Sequence, residues 1–341
     1  MSEAQSDFGY EKLPHFSRII ADGDLDGLIA AAIIKSHSPD AEVHFVHAAE
    51  IRSGMLDSII DRNTAICDLP FHPDCGMYLD HHLTNKPLEK EIIDFTDSGS
   101  IFLWEDKPSA ARVAFDLYKD NCDLDHLEEM MPMVDALDSG QISKEQYLSD
   151  NSIQWLSRTI SLEDKNYTHL ILKWICEGHS VDSILSNSIV QEKISERQEK
   201  MESMKQLLRT NARLEDRLAI VRLDDTGLRT NGYLVTAFFG DDCDACCIIH
   251  GNTDGLIGDH SNPPLSASFY TNSFLHHTNG LFDLTKLAKL YDDTGGGHAN
   301  ACGCRIQALN SDLILEKRKI ISDDIELNIE GWINLWKTKN E

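Results

Sequence analysis

The sequence has few basic residues for its length. Of its 341 residues, 31 are Lys or Arg and 57 are Asp or Glu, which gives a formal net charge of -26. A protein that tracks along DNA or RNA usually presents a basic face, because contacts with phosphates dominate its affinity. The charge balance therefore argues against a large polyanion-binding surface. It favours a local site in which bound cations supply the positive charge.

Signals for export and for membrane insertion are also missing from the sequence. Residues 1–16 are polar and lack the charged-then-apolar layout of a signal peptide. No run of eighteen apolar residues is available to span a membrane. Nine cysteines, an odd number, indicate reduced thiols in this context. We therefore expect a cytoplasmic protein without membrane contact, and the length is comfortable for two domains.

The first part of the chain alternates between strand-like and helix-like segments. Predicted helices at 28–37 and 53–61 separate the strand-like segments HFSRII (15–20), EVHFVHA (42–48), TAICDLP (64–70) and CGMYLDHH (75–82). This alternation predicts a parallel α/β sheet, whose ligands bind beyond the carboxyl ends of its strands. Acidic residues or histidines stand at those ends.

The remainder of the chain predicts a helical region followed by a second sheet. Residues 107–185 read as mostly helical, and 188–214 as a connecting helix with apolar residues along one face. Four segments that follow are predicted strands of a second α/β domain: RLAIVRL, NGYLVTAFFG, ACCIIHG and LSASFYT. A glycine-rich turn near residue 295 comes after them.

An acidic cluster follows the first predicted strand. Asp22, Asp24 and Asp26 stand at alternating positions, and hard divalent cations bind to several converging oxygen atoms of this kind. An EF-hand loop is excluded, because its twelfth position would be Ile33 and a strand precedes the cluster. A solvated acidic turn is the remaining alternative.

Two further predicted strands end in possible metal ligands. Asp68 follows one of them, and Asp80, His81 and His82 follow the other. A single aspartate at a strand end is often only a helix cap, but an Asp-His-His triplet is rarer. Imidazole binds manganese and zinc, and an adjacent carboxylate fixes its tautomer. Because neighbouring side chains of an extended segment point in different directions, one histidine can bind metal while the other meets substrate.

The cysteines of CDACC suggest a zinc site at first sight. Cys243, Cys246 and Cys247 could be completed by Cys302 and Cys304. Structural zinc sites usually carry two separated pairs of cysteines in loops, whereas these cysteines lie in or beside an apolar strand-like run. Buried thiols are the preferred interpretation.

Together, these motifs resemble those of the DHH phosphoesterases. The segments ADGDLDG, AICDLP and YLDHH resemble the first three motifs of that superfamily, and VDALDSG lies where a fourth acidic motif belongs. GGGHANACGCRI (295–306) is similar to the signature of the DHH-associated C-terminal domain. The superfamily includes RecJ-type exonucleases, oligoribonucleases, cyclic dinucleotide phosphodiesterases and exopolyphosphatases. The resemblance implies an α/β fold with a catalytic parallel-sheet domain (1–187), a connecting helix (188–214) and a smaller α/β substrate-binding domain (215–341).

The same resemblance implies a pair of metal ions, expected to be Mn²⁺, with Mg²⁺ or Co²⁺ as alternatives. Asp24 and Asp26 would each hold one ion, and Asp68 would bridge the two. His81 would complete the second site together with Asp138 or Asp135, which the sequence does not separate. Asp22 takes the place of a histidine that some members carry nearby and is included as a ligand.

The expected catalytic and substrate-binding residues also follow from the resemblance. His82, with Asp80 beside it, would contact the phosphate and steady the transition state or protonate the leaving oxygen. Substrate would be held by Gly295, Gly296, Gly297, His298 and Tyr270. Many members carry an arginine in a serine-flanked strand where this chain has Tyr270, so we expect stacking on a base in place of an ionic contact with a terminal phosphate.

The expected function is hydrolysis of phosphodiester bonds in short single-stranded oligonucleotides or linear dinucleotides, releasing nucleoside monophosphates. An exopolyphosphatase and a cyclic dinucleotide phosphodiesterase are alternatives within the superfamily. A catalytically silent nucleotide-binding regulator is the alternative from another class. A homodimer is left open as the assembly.

Overall fold

The computed structural model describes residues 13–149, 151–256, 262–276 and 281–340. The chain forms two compact units. The first consists of Met1–Gln141 and Asp150–Arg197, and the second of Ile142–Ser149 and Gln198–Glu341. The domain limits 1–187, 188–214 and 215–341 stay a prediction.

A parallel five-stranded sheet forms the centre of the first unit. Its strands are β1 (Arg18–Asp22), β2 (Glu42–Val46), β3 (Thr64–Cys67), β4 (Met77–Asp80) and β5 (Ile101–Trp104). They lie in the order β2-β1-β3-β4-β5, and every neighbouring pair is parallel. Strands covered on both faces are expected to be apolar throughout, and all residues of β3 and β4 are buried. The predicted parallel sheet is therefore confirmed.

Helices of the first unit cover this sheet. They are α1 (Leu25–His37), α2 (Ala48–Arg52), α3 (Glu89–Asp97), α4 (Ala110–Tyr118), α5 (Asp125–Glu128) and α6 (Met131–Asp138). The segment after residue 149 adds α8 (Ser152–Thr159), α9 (Lys165–Cys176) and α10 (Val181–Leu185). The first ten residues of α1 are all buried, because it packs against the sheet, α4 and α9. A helix enclosed in this way needs apolar residues on every side, which its Ile- and Ala-rich sequence supplies.

The second unit contains a mixed six-stranded sheet. Its strands are β6 (Ala212–Glu215), β7 (Leu218–Arg222), β8 (Ala245–His250), β9 (Ser266–Thr271), β10 (Gly296–His298) and β11 (Ala301–Arg305). The order is β10-β11-β9-β8-β7-β6, with β7 and β8 as the parallel pair. Its helices are α7 (Lys144–Leu148), α12 (Gly232–Phe239), α13 (Thr285–Ala288) and α14 (Asp323–Trp336). The long helix α11 (Ser188–Asn211) continues from the first unit into the second.

Two local predictions differ from the structure. Residues 53–61, predicted as a helix, form turns, and the helix α2 precedes them. NGYLVTAFFG, predicted as a strand, is helix α12, because the Asn231 side chain accepts a hydrogen bond from the Leu234 N–H and starts a helix that packs on the sheet. The glycine-rich turn near 295 leads into a β-hairpin of β10 and β11.

The described cysteines are free thiols. Cys243 and Cys246 belong to one apolar core of the second unit, and Cys247, Cys302 and Cys304 belong to another on the opposite side of the sheet. In the part of the chain that the structure describes, no helix is both long enough and apolar enough to cross a membrane.

Candidate metal centre

The candidate site lies where the central strands of the first unit end. The chain moves from β1 to β2 on one side and then to β3 on the other, so a crevice opens between the carboxyl ends of β1 and β3. This is the position at which open parallel sheets bind ligands. Asp22 ends β1, Asp68 follows β3 directly, and Asp80 ends β4.

The first acidic motif starts the helix α1. Asp24 is the N-cap residue, and its carboxylate accepts a hydrogen bond from the Gly27 N–H at 3.0 Å. The backbone of Gly27 also lies against that of Asp22, and only glycine fits there, because a Cβ would lie 2.4 Å from the Asp22 carbonyl oxygen. The two carboxylate oxygens of buried Asp26 accept hydrogen bonds from the Ala110 and Ala111 N–H groups, each at 2.7 Å. Asp26 therefore holds the amino end of α4 against the site.

Asp68 has a backbone conformation that is uncommon for a residue with a side chain. Its φ of 59° lies in the left-handed region, which aspartate visits more often than most residues but which still carries a local cost. Its N–H continues the strand pairing by donating to the Leu79 carbonyl at 3.0 Å. The side chain is buried, and its Oδ1 has no hydrogen-bond partner among the described residues. Strained backbone and an unpaired buried oxygen together indicate a functional position.

Two buried carboxylate oxygens from different segments lie near the buried Nε2 of His81. His81 Nε2 lies 2.9 Å from Asp138 Oδ2 and 3.9 Å from Asp68 Oδ1. None of these three atoms has an assigned hydrogen-bond partner among the described residues. The other ring nitrogen of His81 lies 3.0 Å from the Lys107 carbonyl. A proton on Nδ1 would satisfy that carbonyl and leave the Nε2 lone pair directed at the carboxylates, as a metal ligand requires.

The electrostatics of this cluster are those of a cation site. Burial raises the pKa of Asp22, Asp26 and Asp68, and neighbouring carboxylates raise the pKa of each further. For Asp24, desolvation by the surrounding protein and the charges of Asp22 and Asp138 raise the pKa to about 6. Burial alone would lower the pKa of His81, but contact with Asp138 raises it to about 9. So many carboxylates are stable together only if protons or cations neutralise them.

The two aspartates of the fourth motif occupy different environments, although both lie on α6. Asp135 accepts hydrogen bonds from Arg112 at 2.6 and 3.0 Å and from Ser109 at 2.7 Å. Asp138 instead faces His81 and belongs to a group with Asp26 and His81 whose ligand atoms lie within 4.8 Å of one another. The geometry therefore favours Asp138 as a ligand and gives Asp135 a structural contact.

Asp80 has no exposed surface and supports the adjacent histidines. Its Oδ2 accepts hydrogen bonds from the Tyr78 hydroxyl and from Asn85, at 2.8 and 2.9 Å. Its Oδ1 accepts from the N–H groups of His81 and His82 and lies 3.0 Å from His82 Nδ1. Burial would raise the pKa of Asp80, but these hydrogen bonds lower it, and the contact with Asp80 raises the pKa of His82. The half-exposed His82 is thereby fixed in orientation with Nε2 away from Asp80.

Three supporting residues were not predicted from the sequence: Trp104, Lys86 and Asn85. Trp104 ends β5 opposite Asp80, and its indole N–H donates to the His82 carbonyl at 2.9 Å. The Lys86 ammonium lies 3.7 Å from the centre of the Trp104 ring. Lys86 therefore places a positive charge against the ring of Trp104. Asn85 was detectable as a polar residue just after the triplet, but the role of Trp104 depends on the pairing of β4 with β5.

In the second unit, the glycine-rich motif begins the hairpin of β10 and β11. Gly297 has a φ of 136°, and a Cβ there would lie 2.7 Å from the Ala301 carbonyl oxygen. A Cβ at Gly295 would lie 2.4 Å from the Ala288 carbonyl oxygen, whereas one at Gly296 would meet only open space. Gly296 thus leaves room beside the hairpin. The side chain of His298 lies outside the described part of the structure.

Tyr270 lies on the partly buried face of β9, next to β11. A Cβ on Gly232 would lie 2.4 Å from the Tyr270 Cβ, so the amino end of α12 packs directly on this tyrosine. On the same face, His250 lies 3.0 Å from the Ser268 hydroxyl, and its buried Nδ1 has no hydrogen-bond partner among described residues. Burial and the charge of Arg229 lower the pKa of His250 to about 4. The face therefore holds a neutral histidine that sequence reasoning missed.

Comparison with known proteins identifies the fold. No family model matches the sequence, and no curated protein matches it. The chain has the fold of the DHH phosphoesterases, as its similarity to solved structures shows. One of these is the pGpG-specific phosphodiesterase PggH from Vibrio cholerae, at 20% identity and a TM-score of 0.70, with 94% of this chain and 99% of that chain covered.

Two further solved structures share the fold at lower similarity. The DHH domain of a member of a family of ribosomal proteins is 12% identical with a TM-score of 0.56, covering 94% of this chain and 87% of that one. RecJ from Thermus thermophilus in complex with Mn²⁺ is also 12% identical, with a TM-score of 0.54. That match covers 93% of this chain but 52% of RecJ.

The residues present fit divalent cations. Asp68, Asp80, His81 and His82 form one group of converging ligand atoms, and Asp26, His81 and Asp138 form another. Each oxygen of Asp80 takes part in at least two hydrogen bonds and has no lone pair left for a cation, so Asp68 and His81 are the better ligands of the first group. Each oxygen of Asp26 accepts only one hydrogen bond and keeps a lone pair. Asp22 and Asp24 lie close enough to these groups for the charge of Asp138 to raise the pKa of both. Carboxylates with one or two imidazoles are a donor set suited to Mn²⁺, Mg²⁺ or Co²⁺.

We expect Mn²⁺ binding to release protons and to tighten as pH rises. A folded-state pKa raised above the unfolded value stabilises the metal-free fold at low pH. For Asp24 this stabilisation is complete below pH 3.8 and is lost as the pH rises through about 6. For His81 it is complete below pH 6.5 and is lost as the pH rises through about 9. Cations need the deprotonated ligands, so the apparent affinity should rise up to about tenfold per pH unit for each proton displaced.

Calorimetry in two buffers of different ionisation enthalpy measures that proton release directly. The difference in melting temperature between Mn²⁺-loaded and metal-free protein should widen from about pH 5.5 to about pH 8.5. Equal binding heats in both buffers, together with a difference in melting temperature that does not change with pH, would show that these ligands are already deprotonated.

Proposed function

We propose that this protein is a metal-dependent phosphodiesterase that hydrolyses linear dinucleotides and short single-stranded oligonucleotides to nucleoside monophosphates. The observation that carries the proposal is the group of unpaired buried atoms of Asp68, His81 and Asp138, set among carboxylates with raised pKa. A stable fold without a ligand has little reason to bury three converging polar atoms in this way. Membership of the DHH family and a location in the cytoplasm belong to the same proposal.

The chain's own residues would divide the chemistry among them. Asp24, Asp26, Asp68, His81 and Asp138 would hold two divalent cations, with Asp22 as a further candidate and Asp68 between the two sites. Such cations lower the pKa of a water molecule and neutralise charge on phosphoryl oxygens. Asp26 also ties the ligand cluster to the amino end of α4, which keeps the cluster rigid.

His82 would act on the substrate itself. Asp80 accepts its Nδ1–H and raises its pKa, so Nε2 stays protonated at a higher pH than in free histidine. From that position Nε2 can donate a hydrogen bond to a phosphoryl oxygen or a proton to the leaving oxygen. Trp104 would act only through its hydrogen bond to the His82 carbonyl.

Three features support short nucleotide substrates. PggH, which shares the fold over almost its whole length, is described as pGpG-specific, and pGpG is a linear dinucleotide. The net charge of -26 opposes the approach of long polyanions. On the sheet of the second unit, Gly296, Tyr270 and His250 offer open space, an aromatic ring and an unpaired polar atom, which suit a nucleobase better than a chain of phosphates.

We expect catalytic efficiency to be highest for dinucleotides to roughly pentamers and to fall for longer single strands and for duplexes. A long strand is repelled by the acidic surface beyond the site, and salt screens that repulsion over about 8 Å at physiological ionic strength. Higher salt should therefore narrow the gap between long and short substrates. The test measures kcat/KM against length at two salt concentrations with Mn²⁺ present.

The same assay separates the rival activities. Polyphosphate, cyclic dinucleotides and 3′-phosphoadenosine 5′-phosphate complete the substrate panel. Efficiency that rises with length and falls steeply with salt would identify a processive exonuclease and refute the size preference. Turnover of polyphosphate without turnover of dinucleotides would identify an exopolyphosphatase. If no substrate is hydrolysed while nucleotides still bind, the protein is a silent nucleotide-binding regulator.

A further inference from the structure

The strand β2 lies at one edge of the parallel sheet. Among the described residues its only strand neighbour is β1. Sheet edges present unpaired N–H and C=O groups, and proteins usually cover such an edge or protect it with charges and bulges. The outer edge of β2 therefore needs a physical explanation.

The pairing with β1 shows which backbone groups of β2 point outward. The Glu42 N–H donates to the Ser17 carbonyl at 2.9 Å, and β2 then pairs with β1 in parallel register. Alternate residues of a parallel strand direct both backbone groups to the same neighbour. Glu42, His44 and Val46 consequently face β1, and the N–H and C=O groups of Val43 and Phe45 face outward. These outward groups have no hydrogen-bond partner in the described part of the chain.

A groove of about 620 Å³ runs along this edge. Its apolar lining includes Val43, Phe45, Leu56 and Leu172. Helix α9 forms one side, where the ring of His169 lies 5.1 Å from that of Phe45. The groove therefore offers free strand groups together with buried apolar surface, a combination that suits an added β-strand.

The charges of the groove are balanced, unlike those of the chain. Its charged lining consists of three lysines and three glutamates, namely Lys35, Lys165, Lys173, Glu42, Glu50 and Glu177. Over the whole chain, 57 acidic residues face 31 basic ones. Most surfaces of such a chain repel a second copy, whereas this groove does not. A local balance of charge in a strongly acidic protein favours self-association at this place.

We propose that β2 pairs with β2 of a second copy of this chain, in antiparallel register around a two-fold axis at His44. Val43 would then lie opposite Phe45 of the partner subunit, and Phe45 opposite the partner's Val43. Both residues direct their N–H and C=O groups outward, so each Val43–Phe45 pair would be a hydrogen-bonded antiparallel pair that exchanges two N–H···O bonds. The two five-stranded sheets would join into one continuous sheet.

The register is self-complementary, which a symmetric dimer requires. Strand pairing alone is too small, since a stable interface buries about 1,000 Å² or more. The flanks supply the remainder: Leu56 and Leu172 line the groove, and Met55, beside Leu56, has 69% of its surface exposed. The proposal does not depend on the proposed catalytic function, because none of these residues belongs to the metal centre.

A disulfide cross-link tests the register itself. In the proposed dimer the two copies of residue 44 are directly opposite in a non-hydrogen-bonded pair, with Cα atoms about 4.5 Å apart, which lies within the range for a disulfide. His44→Cys should therefore form a covalent dimer on mild oxidation. Glu42→Cys is the matched control, since its two copies would be about 13 Å apart along the strands. Unmodified protein controls for the nine natural cysteines.

Sedimentation analysis with a backbone variant tests the edge. Val43→Pro removes an outward N–H that β1 does not use, and proline is tolerated at such edge positions. This variant should be monomeric at concentrations where wild type and Val43→Ala, which keeps the N–H, are dimeric. Circular dichroism verifies its fold, and unchanged Mn²⁺ binding verifies its metal centre.

Three outcomes would overturn the proposal. The first is a monomeric wild type at every concentration, together with no covalent dimer of the His44→Cys variant. The second is a dimer that persists in folded Val43→Pro, which would place the interface elsewhere. The third is equal cross-linking of the two cysteine variants, which would exclude this register even if Val43→Pro failed to fold.

Discussion

Asp68→Asn is expected to lower kcat by about a thousandfold or more, because a residue between two cations serves both of them. This substitution changes the charge of the side chain and little else. Asparagine keeps the shape of the side chain and tolerates the left-handed backbone at φ 59°. It removes only a buried charge, whose pKa is raised by burial and by nearby carboxylates. Metal-free Asp68→Asn should therefore be at least as stable as metal-free wild type.

Combining kinetics with thermal melting gives this prediction two signatures. A catalytic ligand loses activity and gains stability in the metal-free state when its charge is removed, whereas a purely structural residue loses both. Asp40→Asn, at an exposed position after α1, serves as the control and should change neither quantity. Near-native turnover by Asp68→Asn with metals still bound would refute the bridging role.

Asp138→Asn should lower activity and Asp135→Asn should lower stability, although the two residues are one helical turn apart. Asp138→Asn removes the carboxylate that faces His81 at 2.9 Å. We expect a loss of activity on the order of a hundredfold or more, at or above the upper limit for residues that only orient a ligand. The pKa of metal-free His81, about 9 in the wild type, should fall, because Asp138 is what raises it.

Asp135→Asn should instead lower stability and leave the metals in place. It weakens the ion pair with Arg112 and the contact with Ser109, and a hydrogen bond to a charged group contributes about 1.5–3 kcal/mol. Mn²⁺ affinity from calorimetry and the free energy of unfolding from denaturant titration separate the two variants. If Asp135→Asn lost metal while Asp138→Asn kept it, the assignment of the fourth motif would be reversed.

The two aspartates show where sequence reasoning reaches its limit. The alternation of strands with helices predicts a parallel sheet, and the carboxyl ends of its strands predict where Asp22, Asp68 and Asp80 meet. The choice between Asp135 and Asp138 depends on whether Arg112, on another helix, reaches one of them. No pattern within the motif contains that information, because it arises from the packing of α4 against α6.

Helix α12 and strand β5 illustrate the same limit. Residues 232–239 are rich in aromatic and β-branched side chains, which favour a strand locally, but the cap at Asn231 and packing against the sheet favour a helix. The four residues of β5 are too few to show periodicity, yet they bring Trp104 beside Asp80. In both cases tertiary contacts outweigh local preference.

Hydrolysis of pGpG by chelator-treated protein during titration with Mn²⁺ decides whether this protein is a metal-dependent phosphodiesterase. We predict no turnover before metal is added and recovery as two Mn²⁺ ions bind per chain, with release of nucleoside monophosphate. Metal content by elemental analysis and product identity by chromatography are recorded on the same samples, with Asp68→Asn as the inactive reference. Undiminished hydrolysis after exhaustive chelation would contradict the metal-dependent mechanism. Full metal occupancy without hydrolysis of pGpG or any short oligonucleotide would contradict the assignment as a phosphodiesterase.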